Sequence, residues 1–272
     1  MSFICFNGKM FAAETPVLSV SNRSYKWGDG VFETIRVKDG KIPLETYHFE
    51  RLFSSLKLLQ INSYQLNQEK LLTEILQLCD ANKCAGSARV RLAVSRDDES
   101  GSSYSIEAKP IAAEELKWTG KGMTVDVFPF ARKPMDALAN IKSSSFLIYI
   151  LAGNYARENM MDDAIVLNTS GRICDTSRAN LFLIRNSEVF TPALSEGCVN
   201  GVMRRIVIEK LKDSDYRIHQ GEITSDELLN ADEVFLTNAI AGIRWVESFR
   251  DKKFSSGNIS SIFKGIQATF GS

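Results

Sequence analysis

The chain has almost no histidine, two residues in 272, and its five cysteines (Cys5, Cys79, Cys84, Cys174, Cys198) are scattered with no CxxC pair. No metal ligand set and no disulfide framework is expected from that pattern. Reduced thiols fit a cytoplasmic protein. Net charge is lacking too: Lys plus Arg and Asp plus Glu stand at 33 each. Such a balance gives no field to draw the chain to nucleic acid or to an anionic membrane. No uncharged apolar run reaches membrane-spanning length. The opening MSFICFNGKMF lacks the basic start and long apolar core of a secretory signal, so a cytoplasmic location is expected. There is no internal repeat and no low-complexity tract. What is present is an ordinary globular mixture, 44% hydrophobic and 24% charged, at a length comfortable for two domains.

Phe3–Phe6 followed by Asn7-Gly8 predicts a strand and tight turn, with Met10 and Phe11 returning from it. Residues 31–37 alternate as a strand, and Asp39-Gly40 marks the turn beyond. A helix is predicted from Thr46, where Phe49, Leu52, Ser55, Leu56 and Leu59 recur at helical spacing, and another near 67–81. Residues 88–95 read as a strand in which arginines alternate with apolar side chains. The pattern weakens between about 100 and 121, which sets the division: a small N-terminal α/β domain over 1–110, a linker over 111–121, and a larger C-terminal domain over 122–272. In the second part, 123–128, 164–168, Asn180–Arg185 and 233–237 read as strands and 202–211 as a helix. Residues 142–159 read as a helix with Phe146, Ile150, Leu151 and Asn154 on one side. The mixture is α+β without a regular βαβ alternation.

Four features carry possible chemistry. Lys142 stands at the predicted helix start, after Ile141 and before three serines. A solvated first-turn lysine is the ordinary explanation; a desolvated one becomes a nucleophile for imine formation. The run Gly197-Cys-Val-Asn-Gly201-Val-Met-Arg204 leads glycines into an amphipathic helix. Free N–H groups and the positive end of a helix dipole suit phosphate, although a plain glycine turn looks the same. Its spacing is neither a Walker loop nor a dinucleotide fingerprint. Arg51, one turn after His48, is either an anion clamp or a surface charge, and Asp175 either pairs with a cationic nitrogen or caps a turn.

The order of these features along the chain decides more than any one of them. Asp163-Ala164-Ile-Val-Leu-Asn168, Gly171, Asp175-Thr-Ser-Arg-Ala-Asn180-Leu-Phe182, Thr191-Pro192 and Gly201-Val-Met-Arg204 together resemble the signature of the class IV aminotransferases, enzymes that use pyridoxal 5'-phosphate (PLP). Trp27-Gly28-Asp29-Gly30-Val-Phe32-Glu33-Thr34-Ile-Arg36, His48-Phe-Glu-Arg51-Leu52 and Thr237-Asn238-Ala239 match it as well, in order, from about residue 5 to 250. The resemblance implies a two-domain α+β fold of PLP fold type IV, like the D-amino-acid aminotransferases, and a homodimer. It also implies that Lys142 carries the cofactor as a Schiff base and moves protons at the substrate Cα. Arg51, the backbone N–H groups of Val202 and Met203, and the Asn238-Ala239 turn would bind its phosphate. The family places a Glu against the pyridine nitrogen; here the residue is Asp175, one methylene shorter.

Within the family, the branched-chain aminotransferases carry a Tyr shortly after the lysine, and the residue five past Lys142 is Leu147. The D-amino-acid enzymes use an Arg-x-His trap, and this chain offers Arg89-Val90-Arg91. The 28–36, 199–204 and 237–240 stretches are most similar to the branch that removes pyruvate from aminodeoxychorismate to leave 4-aminobenzoate. That resemblance implies an amino-bearing carboxylate as substrate, Thr34 as the proton donor to the departing enolpyruvate, and Arg91 or Arg96 as the carboxylate anchor.

Overall fold

The computed structural model describes residues 2–97, 101–112, 118 and 120–267. It divides into two units, Met1–Lys117 with Ile141–Phe146, and Trp118–Asn140 with Leu147–Ser272. Part of the linker expected over 111–121, residues 113–117 and 119, lies outside the described residues. Among the described residues no helix is long and apolar enough to cross a membrane.

In the first unit, β1 (Phe3–Phe6), β2 (Lys9–Ala12), β3 (Gly30–Lys38), β4 (Ser87–Arg96) and β5 (Ser102–Pro110) pair antiparallel in the order β2-β1-β5-β4-β3. Alternation sends Ile35, Val37, Val90, Leu92 and Ile106 to one buried face. That face is covered by α2 (Glu45–Leu58) and α3 (Gln68–Ala81) through Phe49, Leu52, Leu56, Leu71, Ile75 and Leu78. Each such side chain contributes about 1.5–3 kcal/mol by leaving water. The Asn67 side chain caps α3 by accepting from the N–H groups of Glu69 and Lys70. β5 falls where the sequence pattern was read as weakening, because its inward Tyr104, Ile106 and Ala108 alternate with serines and charges.

The chain returns to the edge of this sheet after a long excursion. Phe32 N–H donates to Lys142 O at 3.0 Å, Ser144 N–H donates to Gly30 O at 2.9 Å, and Val31 faces Ser143 in an antiparallel bridge. Lys142 therefore does not start a helix: α4 runs only over Leu147–Glu158. The expectation fails because a sheet edge offers unpaired backbone groups, while Ser143, Ser144 and Ser145 are indifferent helix formers. Gly28 ends α1 (Arg23–Trp27) with φ of 70°, and a Cβ there would stand 3.0 Å from the backbone of Ser145. The buried face of α4 also differs from the expected one: Tyr149, Ala152 and Ala156 are buried, while Leu147, Ile150 and Leu151 are exposed.

The second unit holds β6 (Met123–Val127), β7 (Asp163–Leu167), β8 (Ile173–Thr176), β9 (Asn180–Arg185), β10 (Glu188–Pro192), β11 (Arg217–Gly221), β12 (Glu233–Asn238), β13 (Gly242–Phe249) and β14 (Lys252–Lys253). Their order is β11-β10-β9-β12-β13-β6-β7-β8, with β14 beside β13, and β8 comes back against β9 and β10. Parallel pairs (β10–β11, β6–β13, β6–β7) mix with antiparallel ones. β7 and β8 are buried along their whole lengths, and β7 therefore reads as a continuous apolar run instead of an alternating one. α5 (Val202–Lys212) packs on β11, β12 and α7 (Gly257–Gln267). The short α6 (Ser225–Leu229) is fixed by a Thr224–Glu227 capping box.

Candidate active site

The residues selected from the sequence fall into two groups, one in each unit. In the first unit, strand register sets Thr34 directly across from Arg91 on the sheet face that α2 and α3 do not cover. Phe32 shares that face by period-two alternation. The Arg91 guanidinium lies 3.8 Å from the centroid of the Phe32 ring, and Lys142 Nζ lies 4.5 Å from the same centroid and 5.0 Å from that of Phe146. An amine and a guanidinium thus share one aromatic floor, on which a cation keeps favourable electrostatics while losing water, with Thr34 on the same sheet face. Burial lowers the Arg91 pKa, opposed by Glu107, its cross-strand neighbour on β5.

On the opposite face of β3, Glu33 points into the core. One turn of α2 brings His48 and Arg51 to it together. Arg51 Nε donates to Glu33 Oε1 at 2.7 Å, Arg51 Nη2 donates to Oε2 at 2.6 Å, and His48 Nδ1 stands 2.6 Å from Oε2. All three side chains are buried. Burial would push the Glu33 carboxyl up, but the Arg51 charge and the hydrogen bonds from Arg51 and His48 outweigh it and hold the group down at about 2. Arg51 is accordingly a fixed, bidentate-oriented guanidinium and not a surface charge. Arg96 is committed otherwise: Nε donates to Asp29 Oδ2 at 3.0 Å, Nη1 to Gln60 O at 2.8 Å and Nη2 to Leu59 O at 2.6 Å. It pins the end of β4 to the turn after α2.

In the second unit, Asp175 lies on β8, a buried strand and not the polar turn its neighbours suggested. Asn180 Nδ2 donates to Asp175 Oδ1 at 2.9 Å and to Val199 O at 2.8 Å, while Val199 N–H donates to Asp175 Oδ2 at 3.0 Å. One asparagine and one carboxylate thus hold the loop that leads into α5. The fit is close: a Cβ at Gly201 would stand 1.9 Å from Asn180 Oδ1. Gly201 is the N-cap of α5 and supplies no side-chain cap, so the first-turn N–H groups, those of Val202 and Met203 among them, have no acceptor from a capping side chain. At the end of β12, Asn238 Oδ1 accepts from the N–H groups of Ile240 at 3.0 Å and Ala241 at 2.8 Å, forming an Asx turn around Ala239. Thr237 Oγ1, just before it, is buried and finds no hydrogen-bond partner among the described residues.

Two residues in this group were not selected from the sequence. Lys133 Nζ donates to Asp175 Oδ2 at 3.1 Å and also to the Tyr149 hydroxyl, and the Tyr149 hydroxyl donates to Asp175 Oδ2 at 2.6 Å. Lys133 precedes Pro134 in an irregular segment with no periodic signal. Tyr149 stands two positions beyond Leu147, where a tyrosine was sought. Burial, then the Asp175 charge, push its phenol well above the ordinary range, and burial raises the Cys198 thiol to about 12.

A family model described as amino-transferase class IV matches residues 30–249. An aminodeoxychorismate lyase of Vibrio harveyi is 29% identical over 233 residues, 82% of this chain and 84% of that protein. A putative branched-chain-amino-acid aminotransferase of Methanocaldococcus jannaschii is 28% identical over 274 residues, 98% of this chain and 94% of the relative. The crystal structure of a branched-chain aminotransferase from Thermoproteus uzoniensis with norvaline superposes with a TM-score of 0.89 at 25% identity, covering 99% of this chain and 95% of that one. The fold implied by the sequence motifs is the fold observed.

Proposed function

The chain belongs to the class IV aminotransferase family of PLP-dependent enzymes, and from that premise we propose that it is a 4-amino-4-deoxychorismate lyase, holding its cofactor on Lys142 and releasing pyruvate and 4-aminobenzoate. The observation that carries this reading is the convergence of Lys142 and Arg91 on the Phe32 ring, with Thr34 across from Arg91 on the same sheet face.

The residues of the second unit fit the cofactor. Its phosphate needs a cation and several aimed donors: the α5 N-terminus, the Asn238–Ala239 turn and the buried Thr237 hydroxyl of this unit are donors of that kind, and Arg51 of the first unit is the cation that the family resemblance implies. When bound, PLP supplies a carbonyl that condenses with the substrate amine and a ring that withdraws electrons from the adjacent carbon. The chain's own residues then divide the work. Arg91 orients the substrate by a carboxylate. The Lys142 amine takes the proton from the carbon bearing the substrate nitrogen. As the carbon–oxygen bond to the enolpyruvyl group breaks, the Thr34 hydroxyl protonates the departing enolpyruvate, which becomes pyruvate.

Aminodeoxychorismate offered without any amino acceptor tests this: release of pyruvate and 4-aminobenzoate is expected. Turnover seen only with 2-oxoglutarate plus a branched-chain or D-amino acid, and no such release, would make the enzyme an aminotransferase, the reading favoured by the nearly full-length match to the archaeal relative. We also propose a homodimer, supported by the exposed Leu147, Ile150 and Leu151 along α4, and a cytoplasmic location, supported by five free, buried thiols.

A further inference from the structure

Asp175 already has a cation. Lys133 Nζ stands 3.1 Å from its Oδ2, and both residues are buried, at 6% and 2% exposure. The lysine is held at both ends. Its N–H donates to Leu167 O at 2.9 Å, its carbonyl accepts from Thr169 N–H at 3.0 Å, and its Nζ also donates to the Tyr149 hydroxyl. Tyr149 keeps its proton and passes it toward the carboxylate. With Tyr149 and Val199 N–H on the same oxygen and Asn180 on the other, Asp175 receives four donors before any ligand is considered. The thiols of Cys174 and Cys198 around it are pushed up by burial and stay neutral. One buried carboxylate balances one buried cation; a second cation on the same group would lie in low dielectric without a counter-charge.

We propose that Lys133 is a positioning residue that holds Asp175 in a buried ion pair and so leaves the pyridine nitrogen of the cofactor unprotonated. This rests on the reading that Asp175 faces that nitrogen. A neutral ring withdraws electrons less strongly than a pyridinium, so negative charge developing at the substrate carbon is short-lived. That favours prompt expulsion of a leaving group over the slower proton relocation that amino transfer requires.

Solid-state 15N NMR of the holoenzyme, reconstituted with PLP labelled at the ring nitrogen, reads the proton directly and needs no turnover. The expected wild-type signal is that of an unprotonated pyridine, unchanged in Lys133→Arg and moved to the pyridinium position in Lys133→Met, where Asp175 is left without its cation. A pyridinium signal in the wild type overturns the proposal and leaves the placement of Asp175 standing; this arm holds even if Lys133→Met does not fold. An unprotonated signal in both wild type and Lys133→Met means instead that Asp175 does not face the ring, and the proposal falls with that reading.

Discussion

Replacing Glu33 by Gln keeps the shape of the side chain and removes its charge from between Arg51 and His48. In the folded chain the carboxyl is held at about 2 against an ordinary 4.5. A difference of that size, at 1.36 kcal/mol per pH unit, corresponds to about 3 kcal/mol of stability at pH 7. No discount for solvent screening applies, since Glu33 is only 2% exposed. Because the folded value lies below the unfolded one, this contribution is complete above about pH 4.5 and is lost as pH falls toward 2. By pH 3 roughly 1 kcal/mol of it remains. Urea unfolding of the wild type and of Glu33→Gln between pH 7 and pH 3 should therefore show a gap of about 3 kcal/mol or more near neutrality. That gap should narrow by about 2 kcal/mol at the acid end, the variant lacking the carboxylate counter-charge to Arg51 at every pH. A gap that stays constant over that range would refute the reasoning, because Glu33 would then not be ionised against Arg51. The same variant should bind PLP more weakly, since the Arg51 guanidinium loses the two bonds that aim it.

Gly201→Ala places a Cβ 1.9 Å from Asn180 Oδ1; with φ of −65° the backbone itself is unstrained, so the clash is the whole effect. It should cost about 1–3 kcal/mol, seen as a fall of several degrees in Tm, and PLP affinity by fluorescence titration should drop at least about tenfold. Arg91→Ala should raise KM for the carboxylate substrate by about 10- to 100-fold, the worth of one charge-assisted hydrogen bond, with the cofactor absorbance unchanged; an unaltered KM would move the anchor elsewhere. Thr34→Val should lower kcat by about 10²-fold or more at nearly constant KM, whereas full activity would show that another group protonates the leaving enolpyruvate. Lys142→Ala should bind no PLP that borohydride can fix to the chain, as read by mass spectrometry, and retained covalent label would remove Lys142 from its role.

Local pattern carried the reading wherever one face of an element meets one core. α2 and α3 were legible because Phe49, Leu52 and Leu56, then Leu71, Ile75 and Leu78, repeat at helical spacing over a sheet. It failed where partners lie far apart in sequence. Lys142 is extended because Phe32 and Gly30, more than a hundred residues earlier, pair with Lys142 and Ser144 respectively, and nothing within 141–146 announces that. In α4 the large apolar residues point outward and the buried stripe is Tyr149, Ala152 and Ala156, so hydrophobicity indicated the wrong side. Ordered motifs located Asp175 and Asn180, but no spacing rule links Lys133 to a carboxylate 42 residues away.

The division of labour between the two groups explains why the cofactor is easier to read than the reaction. In the second unit the parts proposed to face the cofactor are largely backbone and turn geometry: an uncapped helix start, an Asx turn, a glycine that must stay bare beside Asn180. Such features require particular residue types at fixed spacing, and they surface in the sequence as motifs. The proposed reaction depends on side chains on one face of the first unit, where strand register sets Thr34 across from Arg91 and edge pairing brings in the Lys142 segment. Changing Thr34 or Arg91 there leaves every hydrogen bond of the sheet intact. The fold therefore holds those positions only loosely, and under the proposed function they are where elimination and amino transfer would part.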